Sequence, residues 1–415
     1  MRKSSGFAHS CVQGGQILLV THRCILYCRD MNILAFDFAA YFRQLMRNLF
    51  HGPDTRYRTH TAHTIWTLSM IFVFPVYELA IWLFYALDRI TRPAIRKKEV
   101  KKPVFIIGSF RSGSTFLQRM MGKDVDTFSS GTTWEMMFAP SVSARKLVRG
   151  IFIADRWFGR PLRRLLSWAE GKVFHTETSH TMGLMHHEED EAFFIHTYAS
   201  PFVFFVNPFL DEAVKFYEYD RRENTRQKRR AMRYYRAAIQ RHMFAHPESQ
   251  YYLSKSPTFS SRAASLLKEF PDARFVYLAR NPLDVLPSLM RWFTEVWNSI
   301  EKPGIRFPYR DFVVDFVHHW YVDTLNELEK FPPDQVKIVP YDDLVADPFH
   351  TVESIYSWLE IEMPSEYREV LSHEKARAKK NWRPKNHSLE IDGFTTEEIY
   401  ERFKPVFHRF SFSLE

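Results

Sequence analysis

The chain has 415 residues, 45% of them hydrophobic and 16% aromatic, which suits one sizeable globular domain with additional elements. Lys and Arg outnumber Asp and Glu by 57 to 48, and the formal net charge of +9 points to anionic partners: a nucleotide, a membrane surface or an acidic substrate. No zinc-finger spacing, RNA-binding signature or long Lys/Arg tract occurs, so nucleic acid is not the expected partner, and the three cysteines (Cys11, Cys24 and Cys28) exclude a disulfide framework beyond the first thirty or so residues.

Residues 1–30 form a poorly defined segment. Its apolar patch, Ile17–Val20, is short and is followed by His22 and Arg23, which does not make a secretory signal peptide. Met31 offers an alternative start. From Ile33 the pattern changes: Leu34, Phe38, Phe42, Leu45 and Leu49 recur at helical spacing, an amphipathic helix suited to a membrane interface or to packing on the domain.

Ile65–Leu87 is apolar over the roughly 20 residues a bilayer span needs, with Trp66, Trp82 and Tyr85 placed for the interfaces. Pro75 would kink it, and Glu78 would cost about 2.5–3.5 kcal/mol in mid-bilayer. Residues 31–102 are therefore expected to form membrane-associated helices, as a span or a bent one-sided insertion. A buried helical hairpin of a soluble protein is the alternative. Arg89, Arg92, Arg96, Lys97, Lys98, Lys101 and Lys102 follow the stretch, and the positive-inside rule puts the following domain in the cytoplasm, with the Golgi lumen as the alternative in a eukaryote.

Pro103–Met121 is the stretch around which the remainder is organised. Val104–Ile107 reads as a buried strand, Gly108–Thr115 as a loop, and Phe116, Leu117, Met120 and Met121 as the apolar side of a helix. Strand, glycine-bounded loop and helix N-terminus make a phosphate site, because unpaired N–H groups and the helix dipole both favour an anion. Gly108, Gly113 and Thr115 keep the spacing of the nucleotide P-loop, but Ser114 stands where its lysine belongs. That lysine reaches the β/γ-phosphates, so ATP or GTP hydrolysis is a poor expectation; the cation here is Arg111. A plain Ser/Gly turn is the competing reading of the same residues.

The stretch FIIGSFRSGSTFL resembles the 5′-phosphosulfate loop of sulfotransferases that use 3′-phosphoadenosine 5′-phosphosulfate (PAPS), in the Arg-bearing form of the bacterial, tyrosylprotein and carbohydrate branches. A second family motif, a strand followed by Arg and then Ser eight residues on, is matched by RFVYLARNPLDVLPSLM with Arg280 and Ser288. The resemblance spans about residues 103–410 and implies an α/β fold, a P-loop-like parallel sheet flanked by helices, over 103–415. It implies that Arg111, Ser112, Gly113, Ser114, Thr115 and Phe116 hold the 5′-phosphate end of PAPS, and that Arg280 and Ser288 hold the 3′-phosphate. Lys255, in a strand-ending KSP, and Lys385 with Arg383, where relatives place a loop over the cofactor, are further expected phosphate contacts. The Arg-Lys-Gly loop of the cytosolic branch is absent.

Sulfuryl transfer to a hydroxyl needs a general base at the acceptor oxygen. Glu135, some two dozen residues beyond Arg111 in a Trp-Glu pair, matches the family's carboxylate base; a helix-start carboxylate is the bland alternative. His180, in HTETSHTMGLMHHEEDE, resembles a His facing the acceptor pocket and is the second candidate. The spacing of His186 and His187 does not fit a metal helix, and most of the acidic run reads as solvated or substrate-lining. Ala192–Leu210 reads as core or acceptor-pocket wall, and the basic Asp220–His246 as a solvated helix face. The implied chemistry is an in-line, metal-free displacement onto a hydroxyl or amine of a carbohydrate, lipid or small molecule. The competing classes are an ATP-dependent P-loop kinase, which would require Mg²⁺, and a non-catalytic membrane protein that keeps a degenerate nucleotide fold.

Overall fold

A computed structural model describes residues 35–51, 60–173, 183–207, 209–223, 225–300, 308–381 and 393–414. Five strands form the sheet: β1 Val104–Gly108, β2 Phe128–Ser129, β3 Tyr251–Lys255, β4 Arg274–Ala279 and β5 Val336–Pro340. Their order is β2-β3-β1-β4-β5, and every pairing is parallel. β1 is buried throughout and reads as an unbroken apolar run, as a parallel strand covered on both faces does. Its alternate side chains separate into two layers. Val104 and Ile106 join Leu117, Met121, Val276 and Ile355 on one face, while Phe105 and Ile107 join Tyr235, Phe259, Phe275 and Tyr277 on the other.

Register decides where ligands can bind. Ile106 lies beside Lys255 and Gly108 beside Leu278, so the C-terminal ends of β3, β1 and β4 stand together. In open α/β sheets that edge is the ligand side. The strands expected at Val104–Ile107, before Lys255 and before Arg280 are all present. The two-residue β2 is too short to leave a periodic signal.

The helices used below are α1 Phe38–His51, α2 His60–Leu68, α3 Phe74–Thr91, α4 Ser114–Met121, α5 Val142–Trp157, α6 Arg226–Ala245 and α7 Pro282–Ile300. A π turn, Ser69–Val73, joins α2 to α3 just before Pro75, whose missing N–H cannot continue an α ladder. One side of this joined helix packs on the protein along most of its length, burying Met70, Ile81 and Tyr85. Glu78, costly against lipid, faces inward: it accepts from His196 Nδ1 at 2.7 Å and Trp82 Nε1 at 2.6 Å. Asp88 accepts from the Val142 and Ser143 amides at 2.8 Å each, satisfying the first turn of α5. The opposite side is apolar and open: Phe72, Val76, Leu83 and Ile90 are 65, 67, 62 and 77% exposed.

Candidate active site

The loop between β1 and α4 is held by backbone geometry that side chains resist. Gly108 has φ +138°, and a Cβ there would stand 2.6 Å from the Leu278 carbonyl oxygen. Gly113 has φ +89° and caps α4 with no side-chain bond to the helix amides. Arg111 is left-handed at φ +66°, an uncommon state for a non-glycine residue that is retained where the surroundings over-determine it. Ser260 Oγ clasps the loop base, accepting from Gly108 N at 2.9 Å and donating to Gly108 O at 2.8 Å. Ser112 Oγ is buried without a hydrogen-bond partner.

From the β4 side, Arg280 Nη1 donates to Arg111 O at 2.7 Å, and its guanidinium lies 4.1 Å from the Tyr341 ring centroid. Tyr321 donates to Arg280 O at 2.6 Å, fixing the strand end. Ser288, on α7, accepts from Arg111 Nε at 2.9 Å, so its present partner is the loop arginine rather than Arg280. Burial, and then the Arg280 charge, lowers the Arg111 pKa. Two guanidiniums are thus drawn together around one loop, an arrangement that an anion between them relieves. Arg111, Ser112, Gly113, Ser114, Thr115, Phe116, Arg280 and Ser288 all belong to this one grouping of loop, strand end and helix.

On the β3 side, Lys255 is buried with its Nζ donating to Glu189 Oε1 at 3.0 Å, while Glu189 Oε2 is buried and unpartnered. The acidic run is not solvated as its composition suggests. Burial raises the Glu188 pKa; Asp190 accepts from the Tyr235 and Tyr252 hydroxyls, and burial pushes it up to about 7. Glu191 pairs with Arg262 at 3.1 Å in the interior. Four of the six phenylalanines of the 192–210 stretch, Phe193, Phe194, Phe204 and Phe205, are core, and Phe202 packs against it half-buried.

Glu135 sits in the short π turn Trp134–Phe138, buried and fully engaged. Its Oε2 accepts from Thr132 Oγ1 at 2.9 Å; its Oε1 accepts from His246 Nε2 at 2.9 Å and faces Arg145 Nη1 at 3.2 Å. Burial opposes its charge, but the His246 bond and the Arg145 field outweigh that and hold the carboxyl well below the usual range. The same bond raises His246. Burial and then Arg145 drive His242 far below the ordinary imidazole value, so it is neutral: Nδ1 accepts from Arg145 at 3.3 Å and Nε2 donates to Ser129 Oγ at 2.8 Å. Donor atoms of Glu135, His242 and His246 lie within 4.8 Å of one another, a grouping able to hold a metal ion. Arg145 touches two of the three and already supplies the cation. The groups that shift Glu135 are Arg145, His242 and His246, whereas those that shift Arg111 are Arg280, Glu295, Tyr341 and Arg291.

The two histidines of this network lie in the Asp220–His246 stretch that composition marks as a solvated basic face. Their i,i+4 spacing, His242 in the last turn of α6 and His246 as its C-cap, was the available signal. His180, Lys385 and Arg383 lie outside the described residues.

A sequence model of the sulfotransferase family matches residues 103–365. The omega-hydroxy-beta-dihydromenaquinone-9 sulfotransferases Stf3 of Mycobacterium tuberculosis and Mycobacterium bovis are each 26% identical over 332 residues, 78% of this chain and 77% of theirs. Among solved structures, sulfotransferase STF9 from Mycobacterium avium superposes with a TM-score of 0.71 at 16% identity, covering 99% of this chain and 100% of that one. STF1 from Mycobacterium tuberculosis superposes with a TM-score of 0.62 at 18% identity, covering 88% and 91%. At these identities the structural likeness speaks for the fold.

Proposed function

The chain belongs to the sulfotransferase family, and from that premise we propose that it transfers the sulfuryl group of PAPS to a hydroxyl of a membrane-soluble acceptor. The observation that carries the donor assignment is the joining of Arg111, Ser288 and Arg280 around the phosphate loop. The fit is chemical as well as spatial. Ser112 Oγ is buried without a partner, the N-terminus of α4 has no side-chain cap, and the Arg111 and Arg280 guanidiniums lie close enough for the second to lower the pKa of the first.

In this reading the loop and α4 hold the 5′-phosphate, and Arg280 meets the 3′-phosphate. The acceptor oxygen gives its proton to a carboxylate and forms the new O–S bond. The bond from sulfur to the bridging oxygen breaks, and that oxygen leaves with the electron pair on the 5′-phosphate, where Arg111 stabilises the growing charge. We assign the base to Glu135, which must first exchange His246 or Arg145 for the acceptor hydroxyl. A second reading gives the role to Glu189, favoured by its unpartnered Oε2 beside Lys255 at the strand edge next to the loop.

For the acceptor, the name of Stf3 specifies a hydroxylated menaquinone. We extend the class, a hydroxyl on an apolar lipid, to this chain. The helix surface supports that reading. Residues 63–91 would run about 44 Å at 1.5 Å per residue, against a hydrocarbon core of about 30 Å, and one side is fastened to the protein through Glu78 and Asp88. We therefore place the helix in the plane of one leaflet, with Phe72, Val76, Leu83 and Ile90 in the acyl region and the catalytic domain on the cytoplasmic side. The same lipid-facing character continues on α1, where Phe38, Phe42 and Met46 are exposed at i,i+4 spacing.

Calorimetric titration of the detergent-purified chain with 3′-phosphoadenosine 5′-phosphate (PAP), against ATP, each with and without Mg²⁺, tests the donor. Micromolar, metal-independent PAP binding is expected. Binding of Mg²⁺-ATP in place of PAP would transfer the chain to the kinase reading.

A further inference from the structure

Behind the C-terminal end of α3, on the side away from the exposed apolar stripe, lies a cavity of about 280 Å³. Five arginines line it: Arg89 and Arg92 from the helix end, Arg96 from the turn Pro93–Lys97, and Arg236 and Arg241 from α6. Its one lining acid is Asp88, which accepts from the start of α5 and from Ser143 Oγ and lies 3.4 Å from Arg92 Nη1. One acid outside the lining, Glu269, pairs with Arg236 at 2.6 Å. Among the lining residues five guanidiniums face one carboxylate. Arg241 is only 8% exposed, stacks 3.9 Å from the Tyr85 ring centroid and has no hydrogen-bond partner for Nη1.

Five like charges converging on one small hollow repel one another, and a buried guanidinium N–H without an acceptor adds a desolvation cost. A tetrahedral dianion or diester anion removes both penalties, because several planar forks can reach its oxygens from different directions. A single carboxylate would leave most of the charge uncompensated. We propose that this cavity binds a phosphate group, carried by a lipid headgroup or by a soluble phosphate ester, at a site separate from the catalytic loop. Arg89 and Arg92 share a helix with the apolar stripe, so a helix lying in one leaflet brings the cavity to headgroup level.

The test uses the full chain with PAP at saturation, so that the catalytic loop is filled; should PAP not bind, the Arg111→Ala background serves instead and the two readings fail separately. Calorimetry with inorganic phosphate and with glycerol 3-phosphate reads the soluble arm. Flotation with vesicles of phosphatidylcholine, alone or mixed with phosphatidylglycerol, reads the lipid arm. Arg241→Gln is expected to weaken binding about tenfold in at least one arm. The exposed Arg96→Gln repeats the test without disturbing the Tyr85 stack. The pair Lys97→Gln and Lys98→Gln, outside the lining, should weaken binding less than Arg96→Gln alone. A response confined to flotation identifies a lipid headgroup, and one confined to the soluble anions identifies a soluble ester. No response to either arginine change, or an equal response to the lysine pair, would overturn the site.

Discussion

Replacing Arg280 with alanine should separate affinity from stability, because the side chain has opposite effects on the two. In the structure it contributes one 2.7 Å bond to Arg111 O, a position over Tyr341 and a 3.6 Å approach to the half-exposed Asp284 that adds little. The first two are worth about 1.5 kcal/mol and about 0.5–1 kcal/mol. Against them stands its repulsion of Arg111, already visible in the lowered Arg111 pKa, for which burial is the larger cause and Arg280 the next. The net change in unfolding free energy should therefore be about 1–2 kcal/mol or less. With PAP bound, a two-pronged contact to the 3′-phosphate at about 1.5 kcal/mol per charge-assisted bond disappears, about 3 kcal/mol in all. That is about a hundredfold in Kd. Calorimetric titration with PAP, paired with urea unfolding of the same preparation, reads both quantities. A PAP affinity within threefold of the parent would refute the assignment of Arg280 to the donor, whatever happens to turnover.

Arg111→Ala should abolish turnover while leaving the fold intact, since the loop it sits in is held by backbone geometry and by Ser260; sulfuryl transfer persisting at the parent rate would remove Arg111 from the reaction. Gly108→Ala places a methyl 2.6 Å from a backbone carbonyl at φ +138° and should lower the unfolding free energy by about 3 kcal/mol or more in urea melts. Glu135→Gln should reduce kcat about a hundredfold with an unchanged PAP affinity; a loss of that size in Glu189→Gln, with Glu135→Gln active, moves the base to Glu189. His246 has a raised pKa in the folded chain because of its bond to Glu135. Its contribution is therefore complete below the unfolded imidazole value near 6.5 and fades as pH rises through the higher folded value. His246→Gln should destabilise by about 1.5 kcal/mol at pH 6 and less at pH 9, and a cost that grows with pH would contradict that sign.

The strand, loop and helix of residues 104–121 were legible because they are local. A strand, two glycines at fixed spacing and a helix N-terminus are consecutive in the chain, and the Arg280–Ser288 motif repeats that economy within one strand and one helix. What escaped was set by packing between distant segments. Asp190 and Glu191 look like solvent-facing carboxylates beside Glu188 and Glu189, yet they are interior acceptors for Tyr235, Tyr252 and Arg262, partners 45 to 71 residues away in sequence. His242 and His246 were hidden for the same reason. Their helix is strongly basic in composition, and only the approach of Ser129, Glu135 and Arg145 from three other elements turns one end of it into a charged interior.

The apolar helix shows how far composition alone can lead. Hydropathy over Ile65–Leu87 is blind to rotation about the helix axis, so it registers the same signal for a span and for a helix with one committed face. The structure resolves the two through its polar residues. Glu78 and Asp88 lie one turn or less from Ile81 and Tyr85 on a single stripe, and all four are buried against the protein, while Phe72, Val76, Leu83 and Ile90 occupy the other side. A span would have to carry His196, Ser143 and Arg92, the partners of those two carboxylates, into hydrocarbon along with them. On the proposed placement in one leaflet that cost does not arise, because Glu78 and Asp88 keep their protein partners while Phe72, Val76, Leu83 and Ile90 meet the acyl chains.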